Sequence, residues 1–590
     1  MACTTDYEAL VIGSGFGGAV MCARLGKQWP GKVLLLERGK AYPLGSFPRS
    51  PADLANNFWS PADDTRARPE LVRRRKRSHG GLLGMFDIRR FARMDTVTCA
   101  GLGGGSLIYA NVFLRPPARV FQQNWPAQLD LSVLAPYYDV AQSVLGARTI
   151  PPHADENDRR FVRRTQAFQR FAKEQKLPSK LADIAVFFGN GYNYRGEAVP
   201  TAIGVQEHNR YGARQTSCTY CGECDLGCNL HAKNSTDLNY LHAARELHGA
   251  ELRTGCRVNR IVPLNAEGED DAQAHGEYGY RVYFDDFAWD QATSVTSRRV
   301  VVAAGTMGSN ELLLRCRDIH RSLPDISPAL GQRFSGNGDF LCFALDGKRR
   351  LDATYGPVIT QFTDHHLFDN HDPKRAFLLQ DASIPSHAAW AMATVRPIIS
   401  PWDSIRRICR LGLDLLRGKP YTGKASQRMG HILNQLLSHD ITQRSAVLLC
   451  MGLDQSDGRC RLNRAGFLDL DWPQAGSQPL YQAILTLCRR FCRYMQANVF
   501  LPMPTWLWPS NRNVSVHPLG GCTLADSPRQ GVVSAAAADR GQVFGYQGLY
   551  VADGSIVPAA LGANPAATIA ALAEWIAHGI TGRMPDDTLQ

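Results

Sequence analysis

The feature that most constrains the fold is a glycine-rich turn near the start of the chain, Gly13-Ser14-Gly15-Phe16-Gly17-Gly18. The apolar run Tyr7–Ile12 precedes this turn, and a segment with helical character, AVMCARLGKQ, follows it. A second apolar run, 33–36, then leads into Glu37. Strand, glycine turn, helix, strand and acid in this order predict a parallel βαβ unit that binds a dinucleotide.

The glycines of the turn each have a physical task. We expect Gly13 to permit the tight turn, Gly15 to let the backbone approach a pyrophosphate, and Gly18 to let the helix pack closely on the strand. The helix N-terminus then offers unpaired N–H groups and the positive end of its dipole to the phosphates. Glu37 lies 19 residues after Gly18, where a carboxylate accepts hydrogen bonds from ribose hydroxyls. An acid at this place favours FAD or NAD over NADP.

The composition is that of a globular enzyme. The 590 residues exceed what one simple core supports, and 44% hydrophobic with 20% charged residues is ordinary for this class. The formal net charge is +12, part of which comes from the basic run 66–77. No nucleic-acid-binding motif accompanies that run, so we expect no nucleic-acid partner and interpret the run as a solvated loop.

The N-terminal sequence and the cysteine usage predict a cytoplasmic location. Residues 1–6 contain no charged n-region, apolar h-region or twin-arginine pair, so no export signal is visible. No uninterrupted apolar run is long enough to cross a bilayer. The 16 cysteines are scattered apart from one cluster, which favours a reduced chain over a disulfide scaffold.

Four further segments resemble one family, the glucose–methanol–choline (GMC) oxidoreductases. They are the glycine-rich loop 101–106, residues 299–311 (RVVVAAGTMGSNE), residues 515–522 (SVHPLGGC) and residues 549–568 (LYVADGSIVPAALGANPAAT). The last two are most similar to the cholesterol-oxidase-like branch. The resemblance implies an α/β (α+β overall) protein. It would have a Rossmann-like FAD-binding domain, discontinuous in sequence, and a second, substrate-binding domain built around a β-sheet.

The resemblance also implies which residues contact FAD. Besides the turn glycines and Glu37, they are Gly103, Gly104, Gly105, Ser106, Asn111, Val258, Gly305, Asp553, Gly554 and Asn564. Many members of the family bind FAD covalently through a histidine in the N-terminal third. No histidine lies between residues 80 and 152, so we expect non-covalent FAD.

The resemblance implies that His517 and Asn564 are the catalytic residues. His517 would position the alcohol and accept its proton as hydride leaves for the flavin N5, a task that suits an imidazole because it titrates near neutral pH. Asn564 would orient substrate and flavin through hydrogen bonds. The helix that begins after Pro565 would support negative charge on the flavin ring. The alternative for His517 is a hydrogen-bonded histidine of the core.

Cys218, Cys221, Cys224 and Cys228 form a C-x2-C-x2-C-x3-C pattern, the spacing of bacterial ferredoxins without their final proline. Three interpretations stay open: an iron–sulfur cluster that takes electrons from the reduced flavin, a four-cysteine zinc site that stabilises a loop, and packed thiols near the flavin. Some FAD-dependent sugar dehydrogenases of the family carry a three-iron cluster in a comparable segment. Ferredoxin four-iron clusters draw cysteines from more than one segment, and this chain has no second cysteine cluster.

The motif positions divide the chain into five segments. Residues 1–125 form the first part of the FAD domain with a lid loop, 126–199 a substrate or cap segment, 200–345 the second FAD part with the cysteine cluster, 346–504 the substrate-binding domain, and 505–590 the third FAD part with the catalytic residues. The lid is the apolar loop 80–86. Residues 401–418 have the spacing of a basic amphipathic helix, which covers a core or lies on a membrane surface.

Together these features predict FAD-dependent oxidation of an alcohol to a ketone or aldehyde. The expected substrate is a 3-hydroxysteroid such as cholesterol, or another bulky apolar alcohol, taken from a membrane surface by a peripherally bound protein. The expected acceptor is oxygen. Two alternatives remain: a dehydrogenase of the same family that passes electrons through an iron–sulfur cluster to a partner protein, and a flavoenzyme similar to fatty-acid photodecarboxylases.

Overall fold

The computed structural model of the chain describes residues 4–61, 81–153, 155–289, 291–369, 371–386 and 440–589, together with positions 405, 406, 409 and 413. The basic run 66–77, most of the segment 401–418 and Gly80 of the predicted lid lie outside the described residues. The solvated loop and the amphipathic helix therefore stay predictions.

A seven-stranded, largely parallel sheet contains the strand before the glycine turn. Tyr7–Ile12 pairs in parallel with Val33–Glu37 on one side and with Gln291–Val302 on the other. In hydrogen-bonded order the strands are Glu251–Thr254, Val33–Glu37, Tyr7–Ile12, Gln291–Val302, Tyr280–Asp286 and Cys256–Pro263, and Leu549–Val551 also pairs with Gln291–Val302. Leu10 and Val11 are completely buried, as expected of a parallel strand inside such a sheet.

Helices from both ends of the chain pack together beside this sheet. The helix Phe16–Gln28 begins within the glycine turn and packs against Ala566–Thr581. A buried ion pair joins these two helices: Arg24 Nε lies 2.7 Å from Glu574 Oε2, and the side chains are 6% and 0% exposed. The Tyr240 hydroxyl donates to the same carboxylate at 2.8 Å. Since buried charges are tolerated only when they are paired and hydrogen-bonded, this contact specifies how the C-terminal helix packs.

The seven-stranded sheet takes its strands from three separate parts of the chain, residues 7–37, 251–302 and 549–551. The same sheet could not form from any one of these parts alone. The predicted α/β class and the discontinuous, Rossmann-like sheet are therefore confirmed.

A six-stranded antiparallel sheet forms the second main element. In order, its strands are Val499–Pro502, Phe340–Leu345, Ala446–Gly452, Phe377–Ala382, Gln361–His365 and Ser179–Leu181. The amphipathic helix Gln478–Met495 packs against one face of this sheet. The opposite face lines a cavity that also touches the first sheet.

The strand Phe340–Leu345 shows how the second sheet separates its two faces. Phe340 is buried against the long helix, with its ring centroid 5.4 Å from that of Tyr481. Leu341 and Phe343 line the cavity on the other face, because successive side chains of a strand point in opposite directions.

The second sheet draws strands from outside the segment 346–504. Phe340–Leu345 belongs to the predicted 200–345 segment, and Ser179–Leu181 belongs to the predicted 126–199 segment. The helix Leu131–Val144, also from 126–199, packs on Ala566–Thr581 beside the first sheet. The five-part division itself stays a prediction.

The described part of the predicted lid is paired with its surroundings. Gly81–Leu83 pairs with Trp59–Pro61, and Phe86–Arg90 pairs with Met94–Cys99. Met85 between them is completely buried. A function of this segment as a lid stays a prediction.

Shorter elements complete the described structure. The remaining α-helices are Pro51–Asn56, Arg163–Glu174, Tyr240–Glu246, Gly305–Leu314 and Asp440–Gln443. The remaining strand pairs are Asn513–Ser515 with Met94–Cys99, Gln206–His208 with Arg214–Thr216, Gln332–Ser335 with Leu519–Gly521, Arg459–Leu462 with Leu468–Asp471, and Leu524–Ala525 with Val533–Ser534. Within the described ranges, no helix combines the length and the apolar character needed to cross a membrane.

Candidate active site

A cavity of about 1290 Å³ is lined by residues of both main sheets. Gly13 and Glu37 line it from the first sheet, and Leu341 and Leu449 line it from the second. Ligand pockets in proteins typically measure about 300–1,000 Å³. The cavity therefore has room for a dinucleotide and a second molecule at the same time.

The glycine turn forms one wall of this cavity. A Cβ atom on Gly13, whose φ is +98°, would lie 2.4 Å from the carbonyl oxygen of Ala303, and one on Gly18 would lie 2.0 Å from the carbonyl oxygen of Gly13. A Cβ atom on Gly15 would meet no atom within 4 Å, since this residue lines the open cavity. The helix Phe16–Gln28 begins there without a side-chain cap. Its first N–H groups are therefore available to an anion.

Glu37 lines the cavity at the end of the second strand. Its Oε2 accepts a hydrogen bond from Ser14 Oγ at 2.6 Å, and its Oε1 accepts one from the Gly39 N–H at 2.8 Å. The carboxylate is thus fixed beside the glycine turn, where the sequence places a ribose.

The loop 101–106 packs against the glycine turn. Gly104 and Gly105 line the cavity, and a Cβ atom on Gly104 would lie 2.5 Å from the Cα atom of Gly15. Gly103 and Ser106 do not line the cavity. Ser106 Oγ donates to the Gly103 carbonyl oxygen at 2.6 Å, so the serine maintains the shape of the loop from behind.

Four other predicted contacts, Val258, Gly305, Asp553 and Gly554, also line the cavity. Asp553 Oδ1 accepts a hydrogen bond from the Ser555 N–H at 2.8 Å. Burial raises the pKa of the Asp553 carboxyl. The structure therefore brings together segments that lie up to 540 residues apart in the sequence.

Asn111 is placed differently. It does not line the cavity, although its neighbours Ala110 and Val112 do. Its side chain is completely buried, its φ is +68°, and neither amide atom has a hydrogen-bond partner within the described residues. A contact between Asn111 and FAD stays a prediction.

His517 lines the cavity and is held by Asp339, a residue that the sequence did not mark. His517 Nδ1 lies 2.8 Å from Asp339 Oδ1. Asp339 Oδ2 accepts hydrogen bonds from the backbone N–H groups of Val516 at 2.8 Å and His517 at 3.0 Å. Because a carboxylate only accepts, Nδ1 carries the proton and Nε2 has a free lone pair.

Asn564 lines the same cavity and is also held by its neighbours. Gln380 Nε2 donates to Asn564 Oδ1 at 2.7 Å. The preceding turn is fixed by Asn337, whose Nδ2 donates to the Ala563 carbonyl oxygen at 2.8 Å and whose Oδ1 accepts from the Leu561 N–H at 2.9 Å. The structure thus brings His517 and Asn564 together in one cavity, with both side chains fixed by buried polar residues.

The wall contributed by the second sheet is apolar. Its cavity-lining side chains are Leu341, Phe343, Leu345, Ala382, Val447, Leu449, Val499 and Leu501. The sequence of this region carries no motif, so these residues were missed. Such a wall favours the binding of apolar surface.

The four clustered cysteines line a separate cavity of about 180 Å³. Burial raises the pKa of the Cys224 thiol to about 12, and it also raises that of Cys218. Cys221 is exposed. In the part of the chain that the structure describes, no group of three or more His, Cys, Asp or Glu side chains is placed to hold a metal ion. The described residues therefore give no indication of the predicted iron–sulfur cluster, and the packed-thiol interpretation stays a prediction.

Family comparisons agree with the fold and the cavity. Residues 7–330 match the family described as GMC oxidoreductase, and residues 507–573 match the C-terminal domain of that family. The chain therefore belongs to the GMC oxidoreductase family, which uses FAD. The predicted family and its FAD-binding, Rossmann-like fold are confirmed.

Several relatives are oxidases by name. The chain is 29% identical to a cholesterol oxidase from Mycobacterium tuberculosis, over 98% of this chain and 93% of the relative. It is 27% identical to a cholesterol oxidase from Acinetobacter baumannii, over 96% and 93%. It is 21% identical to a long-chain-alcohol oxidase from Arabidopsis thaliana, over 98% and 68%. Among solved structures, a fungal aryl-alcohol oxidase superimposes with a TM-score of 0.56 at 15% identity, over 98% of this chain and 99% of that one, which supports the fold alone.

Proposed function

We propose that this protein oxidises the hydroxyl group of a sterol, or of another bulky apolar alcohol, and transfers the electrons to oxygen. The balanced reaction converts the alcohol and O₂ into the carbonyl compound and H₂O₂. The observation that carries the proposal is the presence of His517 and Asn564 in one cavity with the apolar wall of the second sheet. The names of the relatives from Mycobacterium tuberculosis and Acinetobacter baumannii support a sterol.

The described residues fit FAD. Gly15 leaves open space where a side chain would stand, and the uncapped N-terminus of Phe16–Gln28 lies beside it. Gly104 and Gly105 offer a backbone without side chains on the adjoining wall. FAD, when bound, supplies the acceptor for the hydride that leaves the alcohol carbon.

His517 is the proposed base. Its Nδ1 is bound to Asp339, and its Nε2, on the opposite edge of the ring, makes no hydrogen bond to any described residue. Nε2 can therefore accept the proton of the alcohol hydroxyl. The Asp339 carboxylate then stabilises the resulting imidazolium through the hydrogen bond to Nδ1.

Asn564 is the proposed positioning partner of the alcohol oxygen. Its Oδ1 already accepts a hydrogen bond from Gln380, whereas its Nδ2 forms none within the described residues. Nδ2 can donate to the alcohol oxygen while that hydroxyl donates to His517. This arrangement fixes the oxygen between one donor and one acceptor.

The apolar wall should make the cavity selective for one class of alcohol. A sterol or long-chain alcohol leaves no polar group unpaired against Leu341, Phe343 and Leu449. A sugar would place several hydroxyls there without partners, and burying unpaired polar groups is unfavourable. We therefore expect sterols to be preferred to sugars.

Anaerobic reduction of the flavin tests the proposal. The purified holoprotein is mixed in turn with cholesterol, a long-chain primary alcohol and glucose, the flavin absorbance is followed, and air is then admitted. The expected result is bleaching by cholesterol, none by glucose, and rapid return of the absorbance with H₂O₂. Slow return in air would indicate a dehydrogenase with a separate electron acceptor. No bleaching by any alcohol would overturn the proposal, and turnover of a fatty acid only under light would indicate photodecarboxylation.

A further inference from the structure

Gln380 is a buried polar residue that no sequence motif marks. Its side chain is 0% exposed, and it lies in the strand Phe377–Ala382 of the second sheet. Its Nε2 donates to Asn564 Oδ1 at 2.7 Å, while its Oε1 has no hydrogen-bond partner within the described residues. An unpaired amide oxygen in a protein interior is costly, so packing alone does not account for a glutamine here.

The strand register places Gln380 on the face of the sheet that lines the large cavity. Gln380 lies directly opposite Leu449 on the neighbouring strand and two residues before Ala382. Leu449 and Ala382 both line the cavity. Residues opposite each other, and residues two apart, share a face of the sheet, so the Gln380 amide points toward the cavity side.

The backbone on both sides of the Gln380–Asn564 contact is fixed. The adjacent Asp381, on the other face of the strand, accepts hydrogen bonds from Thr360 Oγ1 at 2.7 Å and from the Gln361 N–H at 2.9 Å, and it pairs with the buried Arg164. The contact therefore joins two anchored segments rather than two mobile side chains.

We propose that Gln380 is a positioning residue that sets which end of the Asn564 amide faces the alcohol. The two ends of an amide are nearly equal in size, so packing does not select between them. With its Oδ1 held by the Gln380 NH₂ group, Asn564 presents Nδ2, the donor end, to the cavity. The alcohol oxygen needs that donor because its own proton goes to His517. This inference rests on the proposed function.

The test is the rate at which cholesterol reduces the flavin of the holoprotein without oxygen. The two are mixed rapidly, and the flavin absorbance is followed. Gln380→Met keeps the length of the side chain and removes its hydrogen bond. We expect the rate of flavin reduction to fall about 10- to 100-fold, with the dissociation constant of cholesterol changed less than twofold. In an Asn564→Ala background, Gln380→Met should have no further effect, because the two residues act as one unit.

Gln380→Glu supplies a readout that a purely structural residue would not give. An ionised glutamate only accepts, so Asn564 must turn Nδ2 toward it and leave Oδ1 facing the alcohol. A protonated glutamate can donate again. The ratio of the variant's reduction rate to that of the wild type should therefore rise as the pH falls through the titration of the glutamate.

Gln361→Met is the matched control, because Gln361 is a buried glutamine on the adjacent strand and makes no contact with Asn564. Its FAD content and reduction rate should stay within twofold of the wild type, whereas its melting temperature should fall, because Ser179 Oγ loses the acceptor that it contacts at 2.9 Å. Equal reduction rates for Gln380→Met and wild type, additive effects with Asn564→Ala, or a pH-independent ratio for Gln380→Glu would each overturn the inference. If neither cholesterol nor a long-chain alcohol reduces the wild type, the proposed function itself fails, which is a separate outcome. Should Gln380→Met lose FAD or fold poorly, the pH ratio of Gln380→Glu decides alone.

Discussion

Asp339 and His517, 178 residues apart in the sequence, form a hydrogen bond of 2.8 Å between Oδ1 and Nδ1. The other oxygen of the same carboxylate accepts the backbone N–H of His517 at 3.0 Å. Asp339 is buried, with 2% of its side chain exposed. One acid therefore fixes both the backbone and the ring of His517, and it determines which ring nitrogen faces the cavity.

Replacing His517 with Gln should remove the proposed base without disturbing the fold. We expect flavin reduction by cholesterol to slow by about 10²- to 10⁴-fold, the usual contribution of a general base. FAD content and melting temperature should not change, because the side chain lies at the cavity surface and Asp339 keeps its backbone partners. Stopped-flow absorbance of the flavin measures the rate. His275→Gln, an exposed histidine that contacts the Gly545 carbonyl oxygen, is the control, and an unchanged rate for His517→Gln would refute the assignment.

Asp339→Asn should slow flavin reduction because it moves the proton of the His517 ring from Nδ1 to Nε2. The two backbone N–H groups keep the amide oxygen of the asparagine on their side, so its NH₂ group faces Nδ1. The ring must then carry its proton on Nε2 and cannot accept one from the alcohol. We expect a loss of about 10²- to 10⁴-fold in the reduction rate, with cholesterol binding preserved.

A double variant separates this effect from a general loss of structure. Asp339→Asn combined with His517→Gln should reduce the flavin no more slowly than His517→Gln alone, because the acid acts only through the histidine. A further drop in the double variant would show that Asp339 has a role independent of the ring.

The parts of the site that lie in short contiguous segments could be predicted from the sequence. The turn at Gly13 has a spacing that its own local geometry explains, and the segments around His517 and Asn564 resemble motifs of the GMC family, so these candidate residues are recognisable without the fold. Asp339 and Gln380 are not recognisable in this way. Each meets its partner only through tertiary packing, and neither has neighbours in the sequence that distinguish it from other buried polar residues.

The strands of the second sheet could not be recognised in the sequence for a different reason. A half-exposed strand shows alternating polar and apolar residues, but Phe340–Leu345 reads FLCFAL. Both faces of this strand are apolar because one packs on a helix and the other lines the cavity, so the alternation that would have marked the substrate wall is missing. The role of the four clustered cysteines stays a prediction: their spacing is typical of a cluster, whereas the structure shows Cys218 buried and Cys221 exposed.

Gly15→Ala and Gly18→Ala should separate FAD binding from folding. A Cβ atom at position 15 would meet no protein atom within 4 Å but would project into the cavity where we propose that FAD binds. We expect Gly15→Ala to lose most of its FAD and to retain the melting temperature of the wild-type apoprotein. At position 18 the new atom would lie 2.0 Å from the Gly13 carbonyl oxygen, and such overpacking costs about 1–3 kcal/mol.

The measurements are flavin content per chain after desalting and thermal unfolding of both apoproteins. Gly31→Ala offers a control outside the turn for flavin content alone: its added Cβ atom also meets nothing within 4 Å, but its φ of +68° strains any side chain and should lower the melting temperature. If Gly15→Ala kept full flavin content, the glycine turn would not be the dinucleotide site.

Lys233 should give the protein a characteristic dependence of stability on pH. Its side chain is 2% exposed, and Nζ donates to the carbonyl oxygens of Leu107 at 2.9 Å and Cys224 at 2.8 Å. Burial lowers the pKa of this ammonium group from 10.5 to about 8. Between these two values the unfolded chain holds a proton that the folded chain has lost, so the contribution of Lys233 to stability rises with pH in this window.

The difference in free energy of unfolding between wild type and Lys233→Met reports that contribution above pH 8, where the neighbouring Asp225 carboxyl, whose pKa burial raises to about 6, is already ionised. We expect this difference to shift by about 3 kcal/mol in favour of the wild type between pH 8 and pH 10.5. Urea denaturation at a series of pH values measures it, with equal m-values as the check that both proteins unfold alike. Parallel curves across the alkaline range would mean that Lys233 keeps its proton in the folded protein, stabilised by the two carbonyl oxygens against the cost of burial.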